Sequence, residues 1–373
     1  MPCHDLCGVS GVVIFGMGKK YAVNLIKNRL VLALSIAGIL TGCSSAPGAT
    51  EKAATVNTTS LLSSGDYQSA ADALQASIEE GDDSEENYRQ LGIAYMGLGE
   101  YQKAASAFES AIKESGIVPT ESEYDINYYL GSCYYKLGNY EEALEIYDAI
   151  VTMKPKSADA LEMRGGVRMK MGDTDGMEKD FSKAISLEPT NYDRLLSIYS
   201  ALADNGYEEL GKQYLEDALG QNSDTMSGYD KGRIAFYAGD YETARTNLEQ
   251  LPTNSDVNTV LMLGRTYEAL GDYNYATNVY KTWVASDTTS PEIYNQLGLC
   301  YMKMEDYSSA LEAFQNGKSL GSSEFLQSLS FNEIVACEHL GDFDEARTLM
   351  AAYRSAYPGD AKAEREEIFL STR

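Results

Sequence analysis

A glycine returns through this chain at nearly constant spacing. Gly65, Gly99, Gly138, Gly172, Gly206, Gly239, Gly271 and Gly341 form the series, and Glu305 stands in the equivalent place before the last. The steps are 34, 39, 34, 34, 33, 32, 34 and 36 residues. A period near 34 is too long for one helix or strand and too short for a domain. It marks one supersecondary unit used many times. Units of this kind bury their apolar faces against their neighbours along the chain, so the period constrains the fold before composition is considered.

The letters around the glycine explain the unit. Residues 88–112 read YRQLGIAYMGLGEYQKAASAFESAI, and residues 127–151 read NYYLGSCYYKLGNYEEALEIYDAIV. Residues 260–284 (VLMLGRTYEALGDYNYATNVYKTWV) and 294–318 (YNQLGLCYMKMEDYSSALEAFQNGK) follow suit. Each reads as two antiparallel helices. Gly92, Gly131, Gly165, Gly232, Gly264 and Gly298 fall on the first helix, and Ala70, Ala104, Ala143, Ala244, Ala276, Ala310 and Ala346 on the second. Small residues there let backbones approach while large ones interlock, as with Leu91, Tyr95 and Phe108. The break between the helices is glycine, then Asp, Glu or Asn, then tyrosine. Glycine accepts the left-handed conformation, and Asp240, Asp272, Asn139 and Asp342 are placed to cap the next helix. Pro155, Pro189, Pro291 and Pro358 fall between units, where a missing N–H does no harm.

This pattern, L-G-x-x-Y followed by alanine, an aromatic and proline, resembles the tetratricopeptide repeat (TPR). The resemblance covers residues 59–360, about nine repeats, with the first degenerate in its leading half. It implies an all-α fold: a right-handed superhelical solenoid of antiparallel helix pairs. A final helix over 361–373 is expected to cap the open end with Ala361, Ile368 and Phe369. Three irregularities stand out. The 39-residue step adds PTESE at 119–123, read as a longer turn. Repeats five and six match worst, with Gly211 in place of the second-helix alanine and Lys231 in place of leucine. Trp283 fills a position that is usually small, and is expected to pack rather than widen the stack.

The amino end is different. Lys19, Lys20, Lys27 and Arg29 precede an apolar run from Leu30 to Leu40, too short to span a bilayer, which needs about 20 residues. A charged region, a short apolar run and small residues form the signal-peptide pattern. Leu40-Thr41-Gly42-Cys43 at its exit resembles the lipobox of bacterial lipoproteins. That resemblance implies diacylglyceryl attachment to Cys43 and cleavage just before it. Residues 1–42 are then a leader, whose start is Met1 or Met17, and 43–58 a flexible tether. The implied location is the extracytoplasmic side of a bacterial cell membrane, either the single membrane of a one-membrane host or the inner or outer membrane of a two-membrane one.

Composition narrows the chemistry. The chain carries 56 acidic and 30 basic side chains, a net charge of −26. Such a surface repels nucleic acid and is suited to solvation or to a basic partner. His4 and His339 are the only histidines, so a histidine-built metal site or Ser-His-Asp arrangement is not expected. No phosphate-binding glycine loop, H-E-x-x-H or C-x-x-C occurs in the repeats. Acidic pairs such as Glu141-Glu142 and Asp82-Asp83 read as solvated faces. Cys133, Cys300 and Cys337 read as small core residues without disulfides, since neighbouring helices stand about 8–10 Å apart. No enzyme, cofactor, metal or small-molecule substrate is expected.

The TPR resemblance implies a concave surface lined by first helices that receives peptides or partner helices. Carried over by repeat position, it comprises Arg89, Ile93 and Met96; Tyr128, Ser132, Tyr135 and Lys136; and Glu162 and Met169. It continues with Tyr229, Arg233 and Phe236, then Arg265, then Asn295, Met302 and Lys303. Tyrosine, methionine and arginine suit adaptable recognition. The carboxylate clamp of some TPR chaperone adaptors has no counterpart at Asp125, Tyr128 and Ser132. The expected function is a lipid-anchored envelope scaffold for protein or peptide partners. The alternative is a carbohydrate-contacting protein that stacks sugars on Tyr128 and Tyr135.

Overall fold

The computed structural model describes residues 57–115, 121–222, 225–252, 256–287, 289–321 and 323–373. The leader, Cys43 and nearly all of the tether lie outside the described residues. Among the described residues all regular structure is helical. The chain divides into two compact units, Met1–Asn191 and Tyr192–Arg373. The first holds α1 (Thr58–Ser63), α2 (Tyr67–Glu79), α3 (Glu85–Gly97), α4 (Tyr101–Glu114), α5 (Glu121–Lys136), α6 (Tyr140–Met153), α7 (Ala158–Met171) and α8 (Thr174–Leu187). The second holds α9 (Tyr192–Asp204), α10 (Glu208–Asn222), α11 (Gly228–Ala238), α12 (Tyr241–Leu248), α13 (Val257–Ala269) and α14 (Tyr273–Val284). It ends with α15 (Pro291–Lys303), α16 (Tyr307–Ser319), α17 (Ser323–Leu340), α18 (Phe343–Ala356) and α19 (Ala361–Leu370). These are helix pairs followed by one unpaired helix, and the all-α repeat architecture is as expected.

One contact closes most of the pairs. A Cβ built on Gly92 would lie 2.5 Å from the Phe108 ring, and one on Gly264 2.2 Å from the Tyr280 ring. Gly131 meets Tyr147, Gly165 meets Phe181, Gly232 meets Leu248 and Gly298 meets Phe314 in the same way. Each large residue follows its glycine by sixteen positions. Hydrogen in place of a side chain admits the ring, and the ring's burial holds the two helices together. Repeat five reverses the arrangement. Tyr199 stands where the first-helix glycine would be, and Gly211 on the second helix makes room, its Cβ position 2.9 Å from that ring. The poor match there is a substitution in which the first helix carries a ring and the second-helix alanine has become the gap, while Leu215 stays buried.

Most turns follow the capping rules, although Glu100 before α4 makes no side-chain cap hydrogen bond. Asp66, Asp173, Asp240, Asp272, Asp306 and Asp342 each accept a backbone N–H at a second-helix start. Asn139 occupies the same position without a side-chain hydrogen bond. Each glycine of the series has positive φ; Glu305, in their place, has φ 61° and is the only non-glycine residue among the described residues that does so. Pro291 opens α15 at its first turn, where no amide is needed.

Two sequence expectations are corrected. Part of PTESE is not turn: Glu121, Ser122 and Glu123 begin α5, which runs 16 residues against 13 in α3. The final helix buries Ala363 and Leu370, while Ile368 is 68% exposed, Ala361 faces outward, and Phe369 is partly exposed but meets the Phe343 ring edge-on at 6.4 Å. Ala363 and Leu370, two turns apart on one helix face, join Ile334, Cys337, Met350 and Tyr353. Trp283 packs as expected, among Leu263, Tyr280, Ile293 and Leu297, its indole N–H donating to Ser290 Oγ at 3.4 Å. Cys133, Cys300 and Cys337 are free and buried.

Candidate functional site

In each unit the first helices of successive repeats come close: α3 to α5 and α5 to α7, then α9 to α11, α11 to α13, α13 to α15 and α15 to α17. Second helices do not approach one another to the same degree among the described residues. First helices therefore line the tighter side, and the sequence-derived surface falls on it.

Much of that surface holds repeat to repeat. Arg89 on α3 reaches Asp125 on α5 at 3.6 Å and Glu86 at 3.5 Å. Arg233 on α11 pairs with Asp193 on α9 at 2.7 Å and with Asp230, and lies over the Tyr229 ring. Arg265 on α13 reaches Glu292 on α15 at 2.8 Å. Asn295 is buried, its Oδ1 accepting from Asn332 Nδ2 at 2.9 Å. It holds α15 to α17 and is not open to a ligand, contrary to expectation. Met169 is also buried, because an unbranched apolar side chain on a half-covered face lies against its neighbours.

The remaining predicted residues are half-buried or exposed. Ile93, Met96, Glu162, Phe236 and Met302 are half-covered, and Lys136 and Lys303 are exposed. Phe236 packs on Tyr237 and Tyr241, and Met302 against the cluster around Phe314. Ser132 Oγ is engaged in the core, 3.0 Å from the Tyr147 hydroxyl. Tyr135 leans on Tyr140, and its phenol is pushed up by burial and by that neighbour.

One of these residues, Tyr128, opens into a cleft. Tyr128 lines a space of about 310 Å³ between α5, α6 and α7 with Tyr124, Tyr129, Ile150 and Lys154. Asp125 and Asp159 stand on its rim. Tyr129 stacks on Phe108 at 5.7 Å, and Tyr128 meets Tyr147 edge-on at 5.8 Å, so the rings are fixed by the core beneath. Lys154 Nζ lies 3.8 Å from the centre of the Tyr124 ring. The site thus combines aromatic faces, an ammonium and two carboxylates. Tyr124 and Tyr129 were not picked out from sequence. The signal was there in the extended start of α5, which brings Tyr124 onto the face of Tyr128 one turn on.

The cysteines offer no nucleophile. Burial pushes the Cys133 thiol up to about 12 and the Cys337 thiol up to about 11, and raises Cys300 as well, so all three are protonated near neutrality. Among the described residues no group of three or more His, Cys, Asp or Glu side chains is placed to hold a metal ion.

Comparison with known proteins decides the repeat type. Family models of the tetratricopeptide repeat match residues 89–158, 158–191, 291–320 and 330–352. The chain carries tetratricopeptide repeats. A curated relative of this TPR chain is the BBSome complex member BBS4 of Bos taurus, 21% identical over 200 residues. The match takes in 54% of this chain and 32% of that protein, so the chain spans about a third of the relative's length. Among solved structures, a tetratricopeptide repeat protein from Parabacteroides merdae is 15% identical with a TM-score of 0.42, over 67% of this chain and 98% of that one. Pseudomonas aeruginosa pilF is 16% identical with a TM-score of 0.39, over 67% and 97%. MamA is 21% identical with a TM-score of 0.38, over 45% and 96%. TPR chains are typically binding scaffolds, and the first-helix surface is consistent with that role.

Proposed function

We propose that this TPR chain is a lipid-anchored scaffold on the extracytoplasmic side of the bacterial envelope, binding a protein or peptide that carries a basic side chain. The observation that carries the reading is the Lys154 ammonium held over Tyr124 at 3.8 Å, in a cleft rimmed by Asp125 and Asp159. The cleft's chemistry suits a cation, and a partner's lysine or arginine would meet the same ring faces and carboxylates. The net charge of −26 steers such a partner toward the surface. The location rests on residues 17–43, with Cys43 as the lipidated residue and the segment to 58 as tether. Sugar stacking on Tyr128 and Tyr135 is a weaker reading, because both rings already pack against other tyrosines.

Fluorescence polarisation with labelled lysine- and arginine-rich peptides, beside acidic peptides of equal length, tests the partner. Saturable binding of the basic set, weakened in Asp125→Asn/Asp159→Asn and in Tyr128→Ala, is expected. Equal binding of both sets would sink it. Metabolic palmitate labelling tests the anchor: it is expected in the wild type and absent in Cys43→Ala, and labelling that persists in the variant rejects Cys43 as the site.

A further inference from the structure

The second helices turn a mostly polar face outward, and only one of them carries an aromatic ring four residues after the series position. After Gly138, the positions at three, four, seven and ten residues are Glu141, Glu142, Glu145 and Asp148. After Gly271 the same four positions are Asn274, Tyr275, Asn278 and Lys281. All four are exposed on α14. They line a cleft of about 520 Å³ that Tyr301 and Met304 of the next repeat complete. The size falls within the range of small-molecule sites, roughly 300–1,000 Å³. In a chain with 56 acidic side chains, the described lining contains no carboxylate.

Tyr275 is 58% exposed, far more than packing would leave a tyrosine. One face of its ring is stacked on Tyr267, at 5.3 Å between centres and 17° between planes. Tyr267 is itself buried and hydrogen-bonded through its hydroxyl to Glu249. The exposed ring is therefore held on a rigid support. Asparagine is a poor helix former, yet Asn274 and Asn278 sit in a twelve-residue helix, one turn apart and on one side. Their amides flank Tyr275 with donors and acceptors, Lys281 adds an ammonium, and Tyr301 adds a phenol.

We infer that this cleft binds an oligosaccharide. A pyranose presents a C–H face and a rim of vicinal hydroxyls. A supported aromatic ring matches the first, and amides that both donate and accept match the second. A basic peptide is disfavoured, because this lining holds Lys281 and no carboxylate, whereas the Tyr128 cleft sets Asp125 and Asp159 beside its lysine. The site lies on the second-helix side of the second unit, shares no lining residue with the Tyr128 cleft, and does not rest on the partner reading above.

The test is isothermal titration of the full chain with cellotetraose, maltotetraose and chitotetraose. The expected result is saturable binding of at least one, in the micromolar to millimolar range. Tyr275→Ala should weaken it by about tenfold or more. Asn278→Ala should weaken it too, and Tyr275→Phe, which keeps the ring, should retain it. Tyr128→Ala should leave it unchanged while peptide binding falls, which separates the two proposals. Tyr275 is exposed, so helicity and thermal unfolding of its variants should match the wild type. Absence of binding by all three saccharides, or binding indifferent to both Tyr275→Ala and Asn278→Ala, overturns the inference.

Discussion

Arg164 grips Asp180 with two parallel hydrogen bonds, Nε to Oδ2 at 2.8 Å and Nη2 to Oδ1 at 2.7 Å. Asp180 is 1% exposed, and Arg168 Nη1 also donates to its Oδ2 at 2.8 Å. Both arginines reach Asp148 as well, so α6, α7 and α8 meet in one ionic network. Removing the buried member leaves two guanidinium groups partly unpaired. Asp180→Ala should destabilise the first unit by about 3 kcal/mol, read as an earlier urea transition, whereas exposed Asp82→Ala should leave it unmoved.

Glycine-to-alanine changes should separate by position. Gly264→Ala drives a methyl group into the fully buried Tyr280 ring and should cost about 1–3 kcal/mol. Gly166→Ala, in α7 with nothing within 4 Å of the added carbon, should stabilise by up to about 1 kcal/mol through helix propensity. Thermal unfolding of the two variants checks both signs.

Glu305 holds a left-handed conformation that glycine takes in every other repeat of the series. Glu305→Gly should relieve that strain and raise stability by up to about 1 kcal/mol, the gain being offset in part by a freer unfolded chain. A fall in the unfolding midpoint would show that the Glu305 side chain contributes more than its backbone loses.

The last helix should loosen as pH rises. Glu338 on α17 is pushed up from 4.5 to about 8, first by burial and then by the Glu366 carboxyl on α19. Its Oε1 has no hydrogen-bond partner among the described residues. The folded protein retains a proton there that the unfolded chain releases near 4.5, so the stabilisation is full below that value and is lost as pH climbs through about 8. Amide-exchange protection in α19, taken relative to the intrinsic rate at each pH, should be greater at pH 5.5 than at pH 8.5, and Glu338→Gln should flatten the difference.

The repeat architecture was legible because its signals are short-range: a glycine, an aromatic sixteen residues on and a capping aspartate all sit within one unit. The candidate surface was only half legible. Repeat position identifies a first-helix residue but not its partner, and Arg89, Arg233, Arg265 and Asn295 find theirs on a neighbouring repeat. The final helix was misjudged for a related reason. Ile368 and Phe369 are its most apolar letters, but Ala363 and Leu370 are the pair that shares the face turned to α17 and α18. The Asn274–Lys281 cleft is hidden in the sequence because tyrosine is abundant, and only the structure shows the Tyr275 ring standing exposed.

Gly264 with Tyr280 and Gly298 with Phe314 are the same joint one period apart, both separated by sixteen residues. An in-frame crossover between two copies of the gene at matching points would seat Gly264 against Phe314, and the joint would still close. The number of units is then a heritable variable, free to drift by whole repeats, while an insertion inside the sixteen-residue joint would move the large side chain off its glycine. Lineages of this chain should differ in length by multiples of about 34 residues sooner than by any other number.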